Sequence, residues 1–479
     1  MTKQLATETE GEDELLVNGI DWTTGQLLPP VTPAAITEDH PAVRKRAERG
    51  SRHGIVDDEV ADGNCLEESG WGVIFGASVT AEVKARLAPL LQQRKKQAGP
   101  LYKEFEGVRG STAADALSWL TRHEVGLSAV NPRAGVPYYL LIVASPQDIS
   151  FEFQYMLDTY WAVGRLHFDF PDGYRRYAEQ VVDYETASVV RTSRTAGIFA
   201  PQIPGDRATA FFANQMAWPL AKGVPPRAEG ELPLYRPLGE VSHFKMRVKI
   251  GAEASKDNLR SMLMDSDRVA FLLTGSHGSF LRADVPNQLD RIGSLVTQEW
   301  QGSGSPLTES CTFSALDLEH DKPDLSGLIH FSFACYSAGC PALDTYTREP
   351  DGTKRHLLDN DIVARLPQRS LELGALAVLG HVDRAFSYSF QNAREKPQIQ
   401  DMRGVMLKIL RGDRIGLATD VFNMRWSVLS GLLSDAQRDR DSSGIDEARL
   451  TSLWVQRDEA RNYVVLGDPA VRLRVDDLK

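Results

Sequence analysis

Two hydrophobic runs of this chain each end in a residue that could take part in covalent chemistry. His277 lies near the end of the run VAFLLTGSHGS. Cys335 follows the apolar part of the run GLIHFSFACYSAGC, 58 residues further along the chain. Short apolar blocks bounded by small turn residues are typical of buried strands. Parallel neighbouring strands would bring the imidazole and the thiol together at the carboxyl edge of one sheet, where catalytic groups of open α/β sheets gather. This pattern predicts nucleophilic catalysis by a cysteine thiolate.

The thiol of Cys335 needs activation for this chemistry. An ordinary cysteine has a pKa of about 8.5, so only a few per cent is thiolate at neutral pH. We therefore expect activation by His277 and by the amino terminus of a helix that opens at the small residues Ser337, Ala338 and Gly339.

Other histidines and cysteines offer alternatives to this pair. His381 ends the apolar run ALAVLGH and is either a second candidate for the base or a residue at the pocket rim, whereas His330 is expected to be structural. A buried cysteine is usually an inert core residue, and we expect Cys340 to serve only packing. A metal site at Cys335 and Cys340 would need further ligands at suitable spacing, and none is obvious. The sequence therefore predicts neither a metal nor a cofactor.

Strand-like and helix-like segments alternate on both sides of these runs. TAEVKARLAPLLQQRKKQ and PDGYRRYAEQVVDYET have helical spacing, whereas VPYYLLIVASP and RTAGIFAPQ are strand-like. This alternation predicts an α/β fold, in which a parallel-dominated sheet is covered by helices on both faces.

The length of 479 residues favours two or three domains. Residues 1–65 are polar and acidic and are expected to form an extended or partly disordered leader. Residues 66–222 form an expected amino-terminal α/β subdomain, and the Pro- and Gly-rich residues 223–240 an expected linker. Residues 241–479 then make up the catalytic domain. The two halves show a similar alternation of strand-like and helix-like segments, so we expect the first half to be a pseudo-duplicate of the second.

Composition excludes several classes of function. The chain has 54 basic and 65 acidic residues, a net charge of −11, which argues against general nucleic-acid binding. No apolar run approaches the roughly 20 residues of a membrane span. The start, MTKQLATETEGEDELL, has no apolar core of a secretory signal. Four cysteines in so long a chain are not a disulfide framework, so we expect a cytoplasmic protein.

Three motifs resemble the caspase-like cysteine peptidases, namely caspases, gingipains, separase and bacterial CHAT-domain proteases. They are the strand ending in His277-Gly278, the strand ending in Ala334-Cys335, and the closing YVVLGDPAVRL. Caspase-type enzymes also place the histidine about 50 residues before the cysteine. The resemblance covers about residues 247–475, and over the first half only a gingipain-like arrangement of two α/β subdomains suggests itself. FACYS stands in place of the glutamine-containing pentapeptide of animal caspases, so strict specificity for aspartate is not supported.

The resemblance implies a cysteine endopeptidase that cuts a protein partner, with a regulatory partner and a role in bacterial antiviral defence or regulated cell death as further expectations. His277 would protonate the leaving amine, and the backbone N–H groups of Gly278 and Cys335 would form the oxyanion hole. Gly278 also has a physical reason to be glycine, since close approach of a substrate leaves no space for a Cβ.

Substrate preference stays open at this point. The loop after the run AVLG offers Asp383, which would favour a basic side chain, and Arg384, which would favour an acidic one. Asp344 is another candidate, and a solvated charge at the rim is the alternative for each. Two other classes of function also stay open: a catalytically silent adaptor of the same fold, and a small-molecule hydrolase or acyltransferase that uses the same pair.

Overall fold

A computed structural model describes residues 19–28, 60, 62–226, 228–265, 267–281, 285–390, 398–443 and 447–479. The remainder of the predicted leader lies outside the described residues. Within the described ranges, no helix combines the length and the apolar character needed to cross a membrane.

In the described part of the chain, ten strands form one large sheet in the order β3-β2-β4-β5-β18-β17-β12-β8-β6-β7, and a smaller sheet has the order β1-β9-β10-β11. In chain order the strands are β1 (Gly19–Asp21), β2 (Trp71–Gly76), β3 (Tyr102–Val108), β4 (Tyr139–Val143), β5 (Ala162–Leu166), β6 (Thr195–Ala200), β7 (Lys245–Ile250), β8 (Phe271–Gly275), β9 (Gly278–Phe280), β10 (Leu295–Val296), β11 (Thr312–Phe313), β12 (Ile329–Phe333), β13 (Gly339–Cys340), β14 (Leu343–Arg348), β15 (Lys354–His356), β16 (Ile362–Val363), β17 (Ala377–His381) and β18 (Tyr463–Gly467).

Helices fill most of the connections between these strands. In chain order they are α1 (Leu66–Ser69), α2 (Ala81–Ala98), α3 (Ala113–Arg122), α4 (Phe151–Asp158), α5 (Pro171–Thr186), α6 (Arg207–Phe212), α7 (Trp218–Lys222), α8 (Leu238–Ser242), α9 (Lys256–Met264), α10 (Gln288–Arg291), α11 (Ala315–Asp321), α12 (Arg365–Glu372), α13 (Gln400–Leu410), α14 (Ile415–Ala418), α15 (Asp420–Ser443) and α16 (Glu447–Arg461).

The central strands of the large sheet are buried along their whole length. Every residue of β4, β8, β12 and β17 is buried, whereas the edge strand β3 is mostly exposed. Strands that are buried throughout have cover on both faces, as parallel sheets usually do. The predicted α/β class with its parallel-dominated sheet is confirmed; β18 is an antiparallel neighbour of β17 at the centre of the sheet.

Local sequence signals explain where several helices begin. The side chain of Thr80 caps α2 by accepting from the N–H of Val83, and Lys95 and Lys96 lie in its last turn, where cations are favourable. Pro171 opens α5, a position at which its missing N–H costs nothing. The helices predicted from TAEVKARLAPLLQQRKKQ and PDGYRRYAEQVVDYET are confirmed.

The sheet runs without interruption across the expected division at residues 223–240. β6 precedes that division in the chain, yet it lies between β7 and β8 and is parallel to both. β6 belongs to the expected subdomain of residues 66–222, and it shares its sheet with strands of residues 241–479. Adjacency in a sheet is decided by tertiary packing, whereas the Pro- and Gly-rich stretch indicates only a break in regular structure.

One local expectation is wrong. No helix opens after Cys335, because residues 334–338 form a turn and lead into β13. The N–H groups of Tyr336 and Ala338 donate to the carbonyls of Asp383 and His381, so the turn is held to the end of β17 rather than wound into a helix.

Candidate active site

Strand register brings His277 and Cys335 to the same edge of the large sheet. β8 and β12 are parallel neighbours, and Gly275 pairs with Phe333 in the last matched position. His277 and Cys335 each lie two residues beyond that position, and the N–H of Ser276 still donates to the carbonyl of Phe333 at 3.1 Å. His277 and Cys335 therefore lie at equivalent positions just beyond the ends of two neighbouring strands, as the sequence pattern predicts.

Asp206 holds the imidazole of His277 from one side. The Nε2 atom of His277 is 2.9 Å from Oδ2 of Asp206, and both side chains are almost completely buried. The other ring nitrogen, Nδ1, is buried and has no hydrogen-bond partner within the described chain. A carboxylate on Nε2 favours the tautomer with its proton there, which leaves the lone pair of Nδ1 available as a base.

The carboxyl group of Asp206 is itself fixed by the start of α6. Its Oδ2 accepts from the backbone N–H of Thr209 at 2.9 Å and from the hydroxyl of Thr209 at 2.5 Å. Burial alone would raise the pKa of Asp206, but the charge of His277 and hydrogen bonds from His277 and Thr209 lower this pKa to about 2. Asp206 is therefore a carboxylate at any physiological pH.

The sulfur of Cys335 lies against the loop that follows β17. The backbone N–H of Ala385 donates to Sγ at 3.2 Å. The carbonyl oxygen of Ala385 lies 3.8 Å from the same sulfur. The N–H donor favours the thiolate, whereas the carbonyl acceptor favours the thiol. The structure thus places the N–H group of Ala385 beside the sulfur where the sequence predicted a helix dipole.

The backbones of Gly278 and Cys335 are in direct contact. A Cβ built on Gly278 would lie 1.8 Å from the carbonyl oxygen of Cys335 and 2.9 Å from its nitrogen. Position 278 therefore tolerates only glycine without movement of the backbone. The two N–H groups expected to form an oxyanion hole belong to residues that touch each other.

A cavity of about 550 Å³ opens beside these residues. Tyr336, the neighbour of Cys335, lines it together with Asp344 and Arg384. Nη2 of Arg384 is 2.6 Å from Oδ2 of Asp344, and both side chains are almost fully buried. Two of the candidate substrate-binding residues therefore form an ion pair in the wall of one cavity.

The other two candidates, Asp383 and His381, do not line this cavity. Asp383 is buried and its Oδ1 accepts from the N–H of Arg384 at 2.8 Å. Burial, followed by the charge of Asp344, raises the pKa of Asp383 to about 6. His381 lies in the interior between Phe333 and Tyr463, and burial lowers its pKa. Its expected place at the pocket rim is wrong, because β17 ends beneath the turn that carries Cys335.

The remaining histidine and cysteine candidates have structural surroundings. His330 lies within β12, and its Nε2 is 2.9 Å from the hydroxyl oxygen of Thr274. Cys340 is fully buried in β13, and burial raises the pKa of its thiol well above the ordinary value. No cluster of three or more potential metal ligands occurs in the part of the chain that the structure describes.

Asp206 is the residue that sequence reasoning missed. It follows the strand-like run RTAGIFAPQ and directly precedes α6, so its position after a strand was a usable signal. That signal required knowledge that β6 is the neighbour of β8, which brings the segment after Ala200 to the edge where His277 lies.

Comparisons with known proteins give structural but no sequence similarity. Neither a protein-family model nor a curated protein matches the chain. A solved structure described as "Structure of Protease" has a TM-score of 0.47 and 12% identity, with coverage of 84% of this chain and 78% of that chain. The complex of Porphyromonas gingivalis RgpB pro- and mature domains gives a TM-score of 0.44 and 12% identity, covering 85% and 80% of the two chains.

The Saccharomyces cerevisiae separase–securin complex is also similar, with a TM-score of 0.29 and 10% identity over 69% of this chain and 15% of that chain. All three TM-scores are below 0.5. The chemistry of this chain is therefore inferred from its own geometry.

Proposed function

We propose that this chain is a cysteine endopeptidase in which Cys335 is the nucleophile and His277 the general acid and base. The observation that carries the proposal is the pairing of His277 with Asp206 at 2.9 Å, which leaves Nδ1 without a partner at the edge of the sheet that also bears Cys335. A base held by a third group beside a nucleophile is the arrangement that covalent catalysis requires.

The reaction proceeds through a thioester. His277 takes the thiol proton of Cys335, and the sulfur attacks the carbonyl carbon of a peptide bond. The C–N bond then breaks as protonated His277 gives this proton to the leaving amine. Water then attacks the thioester while His277 takes a proton from it. The C–S bond breaks, the new carboxylic acid leaves, and the proton held by His277 returns to the sulfur to restore the thiol of Cys335.

The tetrahedral intermediate carries a negative oxygen, for which the N–H groups of Gly278 and Cys335 are the proposed donors. The contact between these two backbones supports a common location for the donors. Preorganised N–H groups stabilise such an oxyanion without reorganisation during the reaction.

The cavity beside Tyr336 is the proposed site for a substrate side chain. Asp344 and Arg384 neutralise each other in its wall, so the charge preference depends on which of them a substrate engages. An acidic substrate group would compete with Asp344 for the guanidinium, and a basic group would compete with Arg384 for the carboxylate. Asp383 contributes indirectly, through its hydrogen bond to the backbone of Arg384.

A protein substrate and a role in bacterial defence are further parts of the proposal, and they rest on the motif resemblance. The cytoplasmic location rests on the small number of cysteines. A silent adaptor and a small-molecule hydrolase are the competing outcomes of the following test.

The test is labelling of the full-length chain by a peptidyl electrophile that reacts with cysteine thiolates, read by intact mass and peptide mapping. We expect modification of Cys335 that is abolished in Cys335→Ala and strongly slowed in His277→Ala. Cys340→Ala is the matched control, because this buried thiol lies close in the chain and has a raised pKa; its removal leaves labelling unchanged. Peptide-library cleavage that depends on Cys335 identifies an endopeptidase and its side-chain preference.

Two results would contradict the proposal. Cleavage of the peptide library by Cys335→Ala at the wild-type rate would show that Cys335 is not the nucleophile. Labelling of Cys335 without cleavage of any peptide, but with hydrolysis of small thioesters or esters, would favour the small-molecule hydrolase.

A further inference from the structure

A short hairpin near the amino terminus lies over the candidate active site. The segment Gly19–Leu28, called the amino-terminal hairpin below, is closed by two backbone hydrogen bonds. The N–H of Asp21 donates to Gln26 at 3.0 Å, and the N–H of Leu28 donates to Gly19 at 3.0 Å. The first strand of the hairpin is β1.

The hairpin is seated on β9, which begins immediately after His277. β1 is parallel to β9, and Gly19 pairs with Gly278. The N–H of Trp22 donates to the carbonyl of Phe280 at 2.8 Å, and the carbonyl of Trp22 accepts from Leu307. The guanidinium of Arg291 lies 4.8 Å from the centre of the Trp22 ring. Trp22 is therefore the main anchor of the hairpin.

Gly19 lies beside the sulfur of Cys335. A Cβ built on Gly19 would lie 2.9 Å from Sγ and 2.5 Å from the Cδ1 atom of Leu28. His277 and Cys335 are both 0% exposed with the hairpin in place. A scissile carbonyl carbon must approach within about 3–3.5 Å of the nucleophile, and with the hairpin in place the space at that distance borders Gly19, since a Cβ there would lie 2.9 Å from Sγ.

The hairpin is not arranged for cleavage at its own Gly19. The carbonyl oxygen of this residue accepts from the N–H of Leu28 within the hairpin. This oxygen is therefore hydrogen-bonded within the hairpin and not to the N–H groups of Gly278 and Cys335, the proposed oxyanion donors.

We infer that the amino-terminal hairpin is a built-in blocker of the substrate groove, and that it must leave before an extended peptide can add to the edge of β9. This inference rests on the proposed function, because it assigns the regulation of the same site. A substrate strand would take the place of β1, as in other cases of strand addition to an exposed edge. Asp21, Gln26 and Leu28 also line the 550 Å³ cavity, so departure of the hairpin opens the proposed side-chain site as well.

The experiment compares labelling rates of Cys335 in full-length variants with the same peptidyl electrophile. Trp22→Ala removes the anchor without adding atoms near the sulfur. Gly19→Val forces the hairpin outward, since its side chain would meet Cys335 and Leu28. Thr23→Val changes an exposed residue of the same hairpin to a side chain of similar size and is the matched control. Amide hydrogen exchange over residues 19–28 reports independently on whether the hairpin has left.

We expect Trp22→Ala and Gly19→Val to label about tenfold faster or more, with faster exchange across the hairpin, while Thr23→Val behaves as the wild-type chain. Cys335→Ala in the Trp22→Ala background must abolish the signal. Equal labelling of Cys335 in wild-type and Trp22→Ala chains, despite faster exchange of the hairpin, would overturn the inference and leave the proposed function intact. A released hairpin with no labelling of Cys335 in any variant would instead overturn the proposed function.

Discussion

The charge beside His277 determines which of its ring nitrogens can act on a substrate. Asp206 is buried, yet its pKa is lowered to about 2, because the charge of His277 and the donors of Thr209 outweigh the cost of burial. A carboxyl group with a lowered pKa stabilises the folded state above the unfolded pKa of about 3.9. That contribution is lost as the pH falls toward 2, so protonation of Asp206 does not limit activity near neutrality.

We predict that Asp206→Asn lowers kcat by roughly 100- to 10,000-fold with little change in KM. Asparagine caps a helix about as well as aspartate, so α6 is retained. Its amide can donate to Nε2, however, and would then move the imidazole proton to Nδ1. Steady-state kinetics on a cleaved peptide, together with the thermal midpoint, measure this effect.

Asp206→Ala is the comparison variant, because it removes both the charge and the cap and should lower kcat and the thermal midpoint together. An Asp206→Asn enzyme with wild-type kcat would exclude a positioning role for this carboxylate. If Asp206→Asn lowers the thermal midpoint as much as Asp206→Ala does, the loss of kcat would be explained by a structural role of Asp206 only.

At the level of elements, the site depends on how closely β9 approaches the turn after β12. This turn replaces the expected helix because the N–H groups of Tyr336 and Ala338 are already used by the end of β17. The residues of the turn are consequently packed between β17 on one side and the start of β9 on the other. Gly278 makes the tightest of these contacts.

We predict that Gly278→Ala abolishes activity and lowers the free energy of unfolding by about 1–3 kcal/mol, the usual cost of overpacking. The added Cβ would fall 1.8 Å from the carbonyl oxygen of Cys335, a backbone atom that cannot rotate away. Urea denaturation and peptide cleavage measure the two effects.

Gly404→Ala is the control, because this glycine lies within α13 and a Cβ there meets nothing within 4 Å. This variant should keep full activity and gain up to about 1 kcal/mol from helix propensity. Full activity in Gly278→Ala would argue against the close approach of β9 to Cys335.

The whole molecule is joined by a buried polar cluster that links the beginning and the end of the chain. Asp468 accepts from Nε1 of Trp71 at 3.0 Å and from Nε of Arg94 at 2.6 Å. Arg94 also pairs with Glu185, with Nη2 and Oε1 2.6 Å apart. The turn after β18 is thereby tied to β2, α2 and α5, so the halves share one interior as well as one sheet.

We predict that Asp468→Ala lowers the free energy of unfolding by about 3–5 kcal/mol, because it leaves the fully buried charge of Arg94 without one of its two carboxylates. Asp477→Ala removes a half-exposed partner of Arg474 and should cost less than about 1 kcal/mol. Equilibrium denaturation of both variants checks the difference. A similar small cost for both would show that the link between the two ends of the chain adds little to stability.

The amino-acid sequence alone determined the alternation of strands and helices and the strand ends that carry His277 and Cys335. These features are local: an apolar block of strand length, bounded by small residues, has few other conformations open to it. The long helices follow for the same reason, because their spacing and caps lie within a few residues of one another.

Only the tertiary structure decided which distant segments meet at that sheet edge. Asp206 reaches His277 because β6 is inserted beside β8, and Gly19 reaches Cys335 because β1 pairs with β9. The turn after Cys335 likewise depends on carbonyls supplied by β17 and the loop after it. Such contacts are set by strand order and by hydrogen bonds between residues far apart in the chain, and no periodicity within either segment encodes its partner.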